Sequence, residues 1–314
     1  MRPILRRVPL HATVGALSTT MMLGTAALAV AQADTSSAPL PMAVKDASLH
    51  FGQRLVATGR LTAADAGRRV ALQLQPQGGN WTTLASSPVS ASGDYAVAGR
   101  PRMSGAVRVV SLPAGATASA AAERASTAQT VTVAAKVATH GHAVNVLAGH
   151  RGRLRGRLLP GVAGRTVAVQ VSRHGRWHTL DRAHTRRGGR FTLAVRSGSV
   201  GSSRLRVAFA GDGVNGAIRH RAGRLNVYRA SLASWYSLNG GHLACGGTMT
   251  SGTMGVANKS LPCGTMVTFR YRGRSVRVPV IDRGPYSGAR EWDLSGATAR
   301  ALGFGGVGTV WSTK

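Results

Sequence analysis

Ala66-Gly67-Arg68-Arg69-Val70-Ala71-Leu72-Gln73 returns 97 residues later as Ala163-Gly164-Arg165-Thr166-Val167-Ala168-Val169-Gln170. Val70, Leu72 and Leu74 alternate with other residues in the first copy, as do Val167, Val169 and Val171 in the second. An apolar face at period two is the mark of a half-buried strand. The match is not isolated. Gly59-Arg60-Leu61 recurs as Gly156-Arg157-Leu158 in the same register, and Trp81-x-x-Leu84 and Gly93-Asp94-Tyr95 recur as Trp177-x-x-Leu180 and Gly189-Arg190-Phe191 at a shift of 96. Gly-rich turns separate these runs. Units of about 95 residues built this way predict two tandem immunoglobulin-like β-sandwiches, at 38–133 and 134–228, with Trp81, Trp177 and their leucine partners in the cores.

Composition points to the same all-β class. Aromatics are 5% of the 314 residues and 41 are glycine, so the interior is made of small aliphatic side chains, which favour short twisted strands. Forty Lys+Arg face only 10 Asp+Glu, a net +30 that arises from scarce acids. That scarcity argues against a carboxylate-rich metal centre, and no histidine or cysteine spacing matches a zinc site, so no metal and no cofactor are expected. The charge is uneven: 38–133 holds 9 basic and 4 acidic residues, 134–228 holds 18 and 2. The second repeat therefore attracts polyanions, with anionic wall polymers the expected partner. Its basic residues are scattered over strands without interleaved aromatics, which argues against nucleic acid. Seven of the ten histidines also lie there and read as solvated surface groups. Segment 114–130, rich in Ala, Ser and Thr, reads as a loose loop.

Arg2, Arg6 and Arg7 precede an uncharged apolar run at 14–30, and Ala31-Gln32-Ala33 offers a small-x-small cleavage site. Residues 1–33 thus read as a secretory signal peptide, and no later segment is suited to span a bilayer. Export to the cell wall or beyond is the expected destination.

Residues 230–314 hold Trp235, Trp292 and Trp311 and both cysteines, so the chemistry is sought there. Runs at 266–271 and 275–281 read as a hairpin about Arg272-Gly273-Arg274, and the second strand ends in Asp282-Arg283-Gly284-Pro285-Tyr286. A helix is expected over 297–302, stopped by Gly303 and capped by Ser295 or Asp293. Four successive motifs, Ala233-Ser234-Trp235-Tyr236, Val256-Ala257-Asn258-Lys259-Ser260-Leu261-Pro262-Cys263-Gly264-Thr265, Val280-Ile281-Asp282-Arg283-Gly284-Pro285-Tyr286 and Asp293-Leu294-Ser295, resemble those of rare lipoprotein A-like double-psi β-barrels. Expansin and barwin-like proteins share the resemblance more distantly.

The resemblance implies a six-stranded double-psi barrel at 230–314 and lytic transglycosylation of peptidoglycan glycan strands. It implies Asp282 as general acid/base and Asp293 as the acid that matters in the expansin branch. Two other family positions differ, because the expected glutamate falls on Gly247 and the expected histidine on Asn258. Those two losses favour the alternative of a non-catalytic, wall-loosening glycan binder. Candidate substrate contacts are Trp235, Tyr236, Asn258, Arg283, Tyr286 and Glu291; the aromatics among them offer stacking faces for sugar rings, and Glu291 is a substitute for the lost acid. Cys245 and Cys263, both beside glycines in an exported domain, are expected to form one disulfide.

Overall fold

The computed structural model describes residues 38–113, 115, 117 and 122–314, so the leader expected at 1–33 lies outside the described residues. Strands dominate; among the described residues the one α-helix is Gly296–Leu302. Both repeats are pairs of sheets with the same plan. In the first, Ala43–Val44, Leu55–Arg60 and Asp94–Gly99 face a second sheet ordered Ser48–His50, Gln129–Ala134, Gly105–Leu112, Arg69–Pro76 and Thr82–Pro88. In the second, Lys136–Thr139, Arg151–Leu159 and Arg190–Arg196 face Ala143–Leu147, Ile218–Tyr236, Gly201–Phe209, Thr166–Arg173 and Arg176–His184. The first-named strand of each larger sheet joins in parallel and the others pair antiparallel. Even a register irregularity recurs, between Leu72 and Gln73 and between Val169 and Gln170.

Each sandwich has its own core. Val70, Leu72 and Leu74 turn inward beside Val107 and Val109, and Val167, Val169 and Val171 do so beside Leu205 and Val207. Burying an aliphatic side chain of this size stabilises by about 1.5–3 kcal/mol. The tryptophans expected in these cores are outside them. Trp81 and Trp177 are half-buried on the outer face of the larger sheets, each under an arginine whose guanidinium carbon lies 4.1 Å from the ring centroid, Arg108 and Arg206 respectively. Residues three apart on a strand point to opposite faces. Leu84 and Leu180 pack against the cores, so their tryptophan partners turn outward. Each arginine is fixed further by a glutamine, its Nε donating to Gln73 Oε1 at 3.0 Å or to Gln170 Oε1 at 2.7 Å.

The C-terminal domain is a closed six-stranded barrel. Its ring runs from the 229–236 half of the Ile218–Tyr236 strand through Trp292–Ser295, Val256–Ala257, Arg274–Asp282, Met266–Tyr271 and Gly308–Ser312 back to the start. Two of the six pairings are parallel. Trp292 fills the centre with its ring edge-on to Phe269, centroids 5.1 Å apart. The hairpin turns at Arg272 and Gly273, with φ of 44° and 86°, the two positive values that a tight two-residue turn requires. Ser295 caps the helix by accepting from the Thr298 N–H at 3.3 Å, and Gly303 ends it in the left-handed conformation.

The boundary expected near 228–230 is not a linker. Ile218–Tyr236 is one strand of 19 residues that closes the second sandwich with its first half and opens the barrel with its second. Of segment 114–130, Arg124–Ala125 is a short strand paired to Gly105–Leu112.

Candidate active site

Strand register brings two of the three acids of the barrel into one row. Ser234 pairs with Asp293, Asp293 with Ala257, and Ala257 on its other side with Asp282. Directly paired residues project to the same face, and two strand spacings set the backbones of Asp282 and Asp293 about 10 Å apart. Tyr236, two residues beyond Ser234 on that face, closes the group.

The environments of the two acids differ. Asp282 stands at a strand end and is half-buried. Its Oδ2 accepts from the Tyr236 hydroxyl at 3.1 Å, and its Oδ1 accepts from the N–H groups of Ala244 at 2.9 Å and Arg283 at 2.8 Å. The Arg283 guanidinium turns the other way, toward the Asn258 carbonyl at 3.4 Å and Cys263 Sγ at 3.2 Å. Asp293 accepts from the Ser234 hydroxyl at 2.7 Å. Burial pushes the Asp293 carboxyl above the ordinary value, against the pull of Ser234 and Arg290, and the negative charge of Asp282 adds to the rise. Burial also pushes the Tyr236 phenol up, reinforced by Asp282 and Asp293, so it stays a donor.

The Cys245–Cys263 disulfide is present, with Cα atoms 5.5 Å apart. It fastens the loop that supplies the Ala244 N–H, and the Cys245 N–H is tied to the Ile281 carbonyl at 3.2 Å, one residue before Asp282.

The other candidates are spread out. Trp235, 47% exposed, alternates with Tyr236 and leaves the strand on the opposite side, beside Gly296. Tyr286 is 79% exposed beyond the Asp282 loop. Asn258 folds into its own turn, its Oδ1 accepting from the N–H groups of Ser260 at 3.1 Å and Leu261 at 2.9 Å. Glu291 forms a two-point ion pair with Arg229. Asn258 and Glu291 line a separate cleft of about 390 Å³ with Lys259 and Arg290. Gly247 is exposed at φ +82° with open space where a side chain would point. Sequence reasoning missed Ser234 and Ala244. Ser234 lay inside the Ala233–Tyr236 motif, whereas a backbone N–H such as that of Ala244 leaves no trace in side-chain patterns. No His/Cys/Asp/Glu group among the described residues is arranged to hold a metal ion.

Residues 228–311 match the family model described as lytic transglycolase. A protein of Synechocystis sp. named "Probable endolytic peptidoglycan transglycosylase RlpA" is 38% identical over 95 residues, 28% of this chain and 30% of that protein. One of the same name from Aquifex aeolicus is 39% identical over 81 residues, 24% of this chain and 36% of that protein. Residues 228–311 are an RlpA-like double-psi β-barrel domain. This chain spans about a third of the length of those two relatives. Among solved structures the Streptomyces papain inhibitor aligns over 28% of this chain and 94% of its own, at 25% identity and a TM-score of 0.23. In the RlpA-like barrel, Asp282 closes the third of the four motifs' strands and Asp293 opens the fourth motif, which is how positions 11 residues apart come to share one face.

Proposed function

We propose that this chain is an exported cell-wall protein whose RlpA-like barrel cleaves peptidoglycan glycan strands by lytic transglycosylation. The observation that carries this reading is the row of Asp293, Ala257 and Asp282, two carboxylates on one face in unlike surroundings. Breaking a glycosidic bond requires a proton for the departing oxygen and negative charge near the oxocarbenium-like centre. Asp293, with its raised pKa and one hydroxyl donor, suits the proton carrier. Asp282, gripped by three donors, suits the fixed anion. This proposed division differs from the roles expected from sequence because it is drawn from the hydrogen-bond donors around each carboxyl rather than from motif position.

In the reaction, the Asp293 carboxyl protonates the oxygen linking MurNAc to GlcNAc as the C1–O bond breaks. The MurNAc C6 hydroxyl then bonds to C1 and returns a proton to Asp293, leaving a 1,6-anhydro end and no net consumption of water. Tyr286 offers an exposed ring face for a neighbouring sugar. The basic second sandwich contacts anionic wall polymers.

Gly247 and Asn258 favour a second reading, a glycan-binding module that loosens without cutting. Glycan strands stripped of stem peptides, incubated with the full chain and resolved by mass spectrometry, decide between them. Anhydro ends that vanish in Asp293→Asn and fall sharply in Asp282→Asn support cleavage. Sedimentation with sacculi but no anhydro ends supports binding alone. Full activity in Asp293→Asn refutes the division of roles.

A further inference from the structure

A further cleft lies away from the barrel. It is a trough of about 800 Å³ on the outer face of the larger sheet of the second sandwich. Cross-strand register lays out its floor and walls. Arg182 pairs with Ala168, Ala168 with Ala208, and Ala208 with Arg219, so one row across four strands reads Arg-Ala-Ala-Arg. Two small side chains make a flat floor, and two exposed arginines stand about 14 Å apart at the backbone on either side. In the next row Gln170 and Arg206 continue the lining.

The trough holds positive charge that the protein does not neutralise. None of Arg182, Arg206 and Arg219 is in an ion pair among the described residues. Burial and the neighbouring charge of Arg219 both make the cationic form of Arg206 less favourable. The one carboxylate in the lining, Asp212, is consumed. It binds Arg165 through both oxygens at 2.8 and 3.1 Å and accepts the N–H groups of Val214 and Asn215 at 2.9 Å each. Asp181, the other acid of this repeat, points to the opposite face and accepts the Ala194 N–H.

The first sandwich supplies an internal comparison. Its corresponding row is Ser86, Ala71, Val110 and Ala125, in which both arginine positions are taken by small uncharged residues. Ala71 and Val110 are fully buried there with Leu112, and Ala125 packs against them. Ala168 and Ala208 of the second sandwich are only half-buried. The same row in the second sandwich thus keeps a floor of small side chains, more open to solvent, between two cationic walls.

We propose that this trough binds a phosphodiester-linked polyol chain. The inference rests on the reading that the second sandwich meets anionic polymer, and it assigns that polymer a place and a chemistry. Guanidinium forks match phosphate oxygens two at a time. The alanine floor suits the methylene faces of a slender polyol. A polymer of acidic sugars fits less well, since the Trp177 ring that would stack on it is already covered by Arg206.

The test uses the full chain, poly(glycerol phosphate) and, as a carboxylate counterpart of similar charge, polygalacturonate, with isothermal titration calorimetry as the readout. Arg182→Gln/Arg219→Gln is compared with Arg153→Gln/Arg155→Gln, which removes the same charge from the exposed face of the smaller sheet. Poly(glycerol phosphate) is expected to bind at least about tenfold more weakly to the trough variant and within about twofold of wild type to the control. The slope of log affinity against log salt should fall by about 1.4 to 1.8 in the trough variant alone. Equal weakening in both variants overturns the trough while leaving polyanion contact standing. Polygalacturonate binding as tightly, and lost with the trough, overturns the phosphate assignment. Failure of wild type to bind either polymer at low salt overturns the underlying reading as well.

Discussion

Replacing Cys245 and Cys263 by serine opens a loop of sequence separation 18 whose Cys245 end is bonded, through the Ala244 N–H, to Asp282. In the chain-entropy description, a cross-link over that separation stabilises by about 3 kcal/mol at 25 °C. The Val256–Ala257 segment of the loop is a barrel strand, whereas its Cys245 end has few other anchors to the barrel. Ala244 N–H to Asp282 and Cys245 N–H to the Ile281 carbonyl tie it to the Arg274–Asp282 strand, and Ala244 itself is exposed. Most of the lost stability should therefore appear as local opening rather than global unfolding. Hydrogen exchange of the Ala244 and Cys245 amides reads this directly. An effect of about 3 kcal/mol corresponds to about a 150-fold loss of protection. The Val278 and Val280 amides, inside the closed barrel, should change far less. The serine variant should also lose turnover on glycan without losing barrel structure, since one of three donors on Asp282 goes with the loop. Unchanged protection at Ala244 would refute the reasoning, because the loop would then be ordered by its own turns.

Four further outcomes are expected. Asp212→Ala strands the Arg165 guanidinium, which is 3% exposed, and should destabilise the second sandwich by about 3–5 kcal/mol in urea titrations. Burial raises the Asp212 pKa, but its bonds to Arg165, Asn215 and Val214 outweigh this and hold it below 3.8; its contribution is therefore present above that value and lost as pH falls through the lowered one, so wild type and Asp212→Asn should converge in stability as acid titration passes that lowered value. Asp293 has the opposite sign. Its raised pKa means stability is full below 3.8 and lost as pH rises through the raised value, so the melting temperature of Asp293→Asn should gain on wild type between pH 4 and 7. Gly223→Ala should be the most damaging small substitution in the second sandwich. Gly223 sits at φ +85° where an added Cβ would lie 1.7 Å from the His142 carbonyl oxygen, and a loss above about 3 kcal/mol in thermal unfolding is expected.

Much of the fold was legible because the two repeats state the same pattern twice. Period-two alternation at Val70–Leu74 and Val167–Val171 fixed which face is core, and both runs are strands with that face inward. The tryptophans went astray for a local reason. A spacing repeated in both copies suggests shared burial, whereas three residues along a strand change the face. The 19-residue strand was hidden because the composition shift after Tyr228 looks like a domain break, and nothing in a sequence distinguishes a break in core from a break in backbone. At the site, the Asp282 and Asp293 motifs were visible but their adjacency was not. It depends on Ala257, a residue without functional chemistry, lying between them in the sheet. The pairing of Glu291 with Arg229 was equally out of reach, since it spans 62 positions and joins two strand ends.

The strand from Ile218 to Tyr236 leaves no swivel between the cationic sandwich and the barrel. A tether would let the barrel search in every direction after the sandwich had been immobilised; a shared strand hands on orientation along with position. Whatever pins the first half of that strand also aims the second. On the proposed reading, the angle at which glycan would meet the barrel is set when the sandwich lands, before a sugar ring could reach the carboxylates.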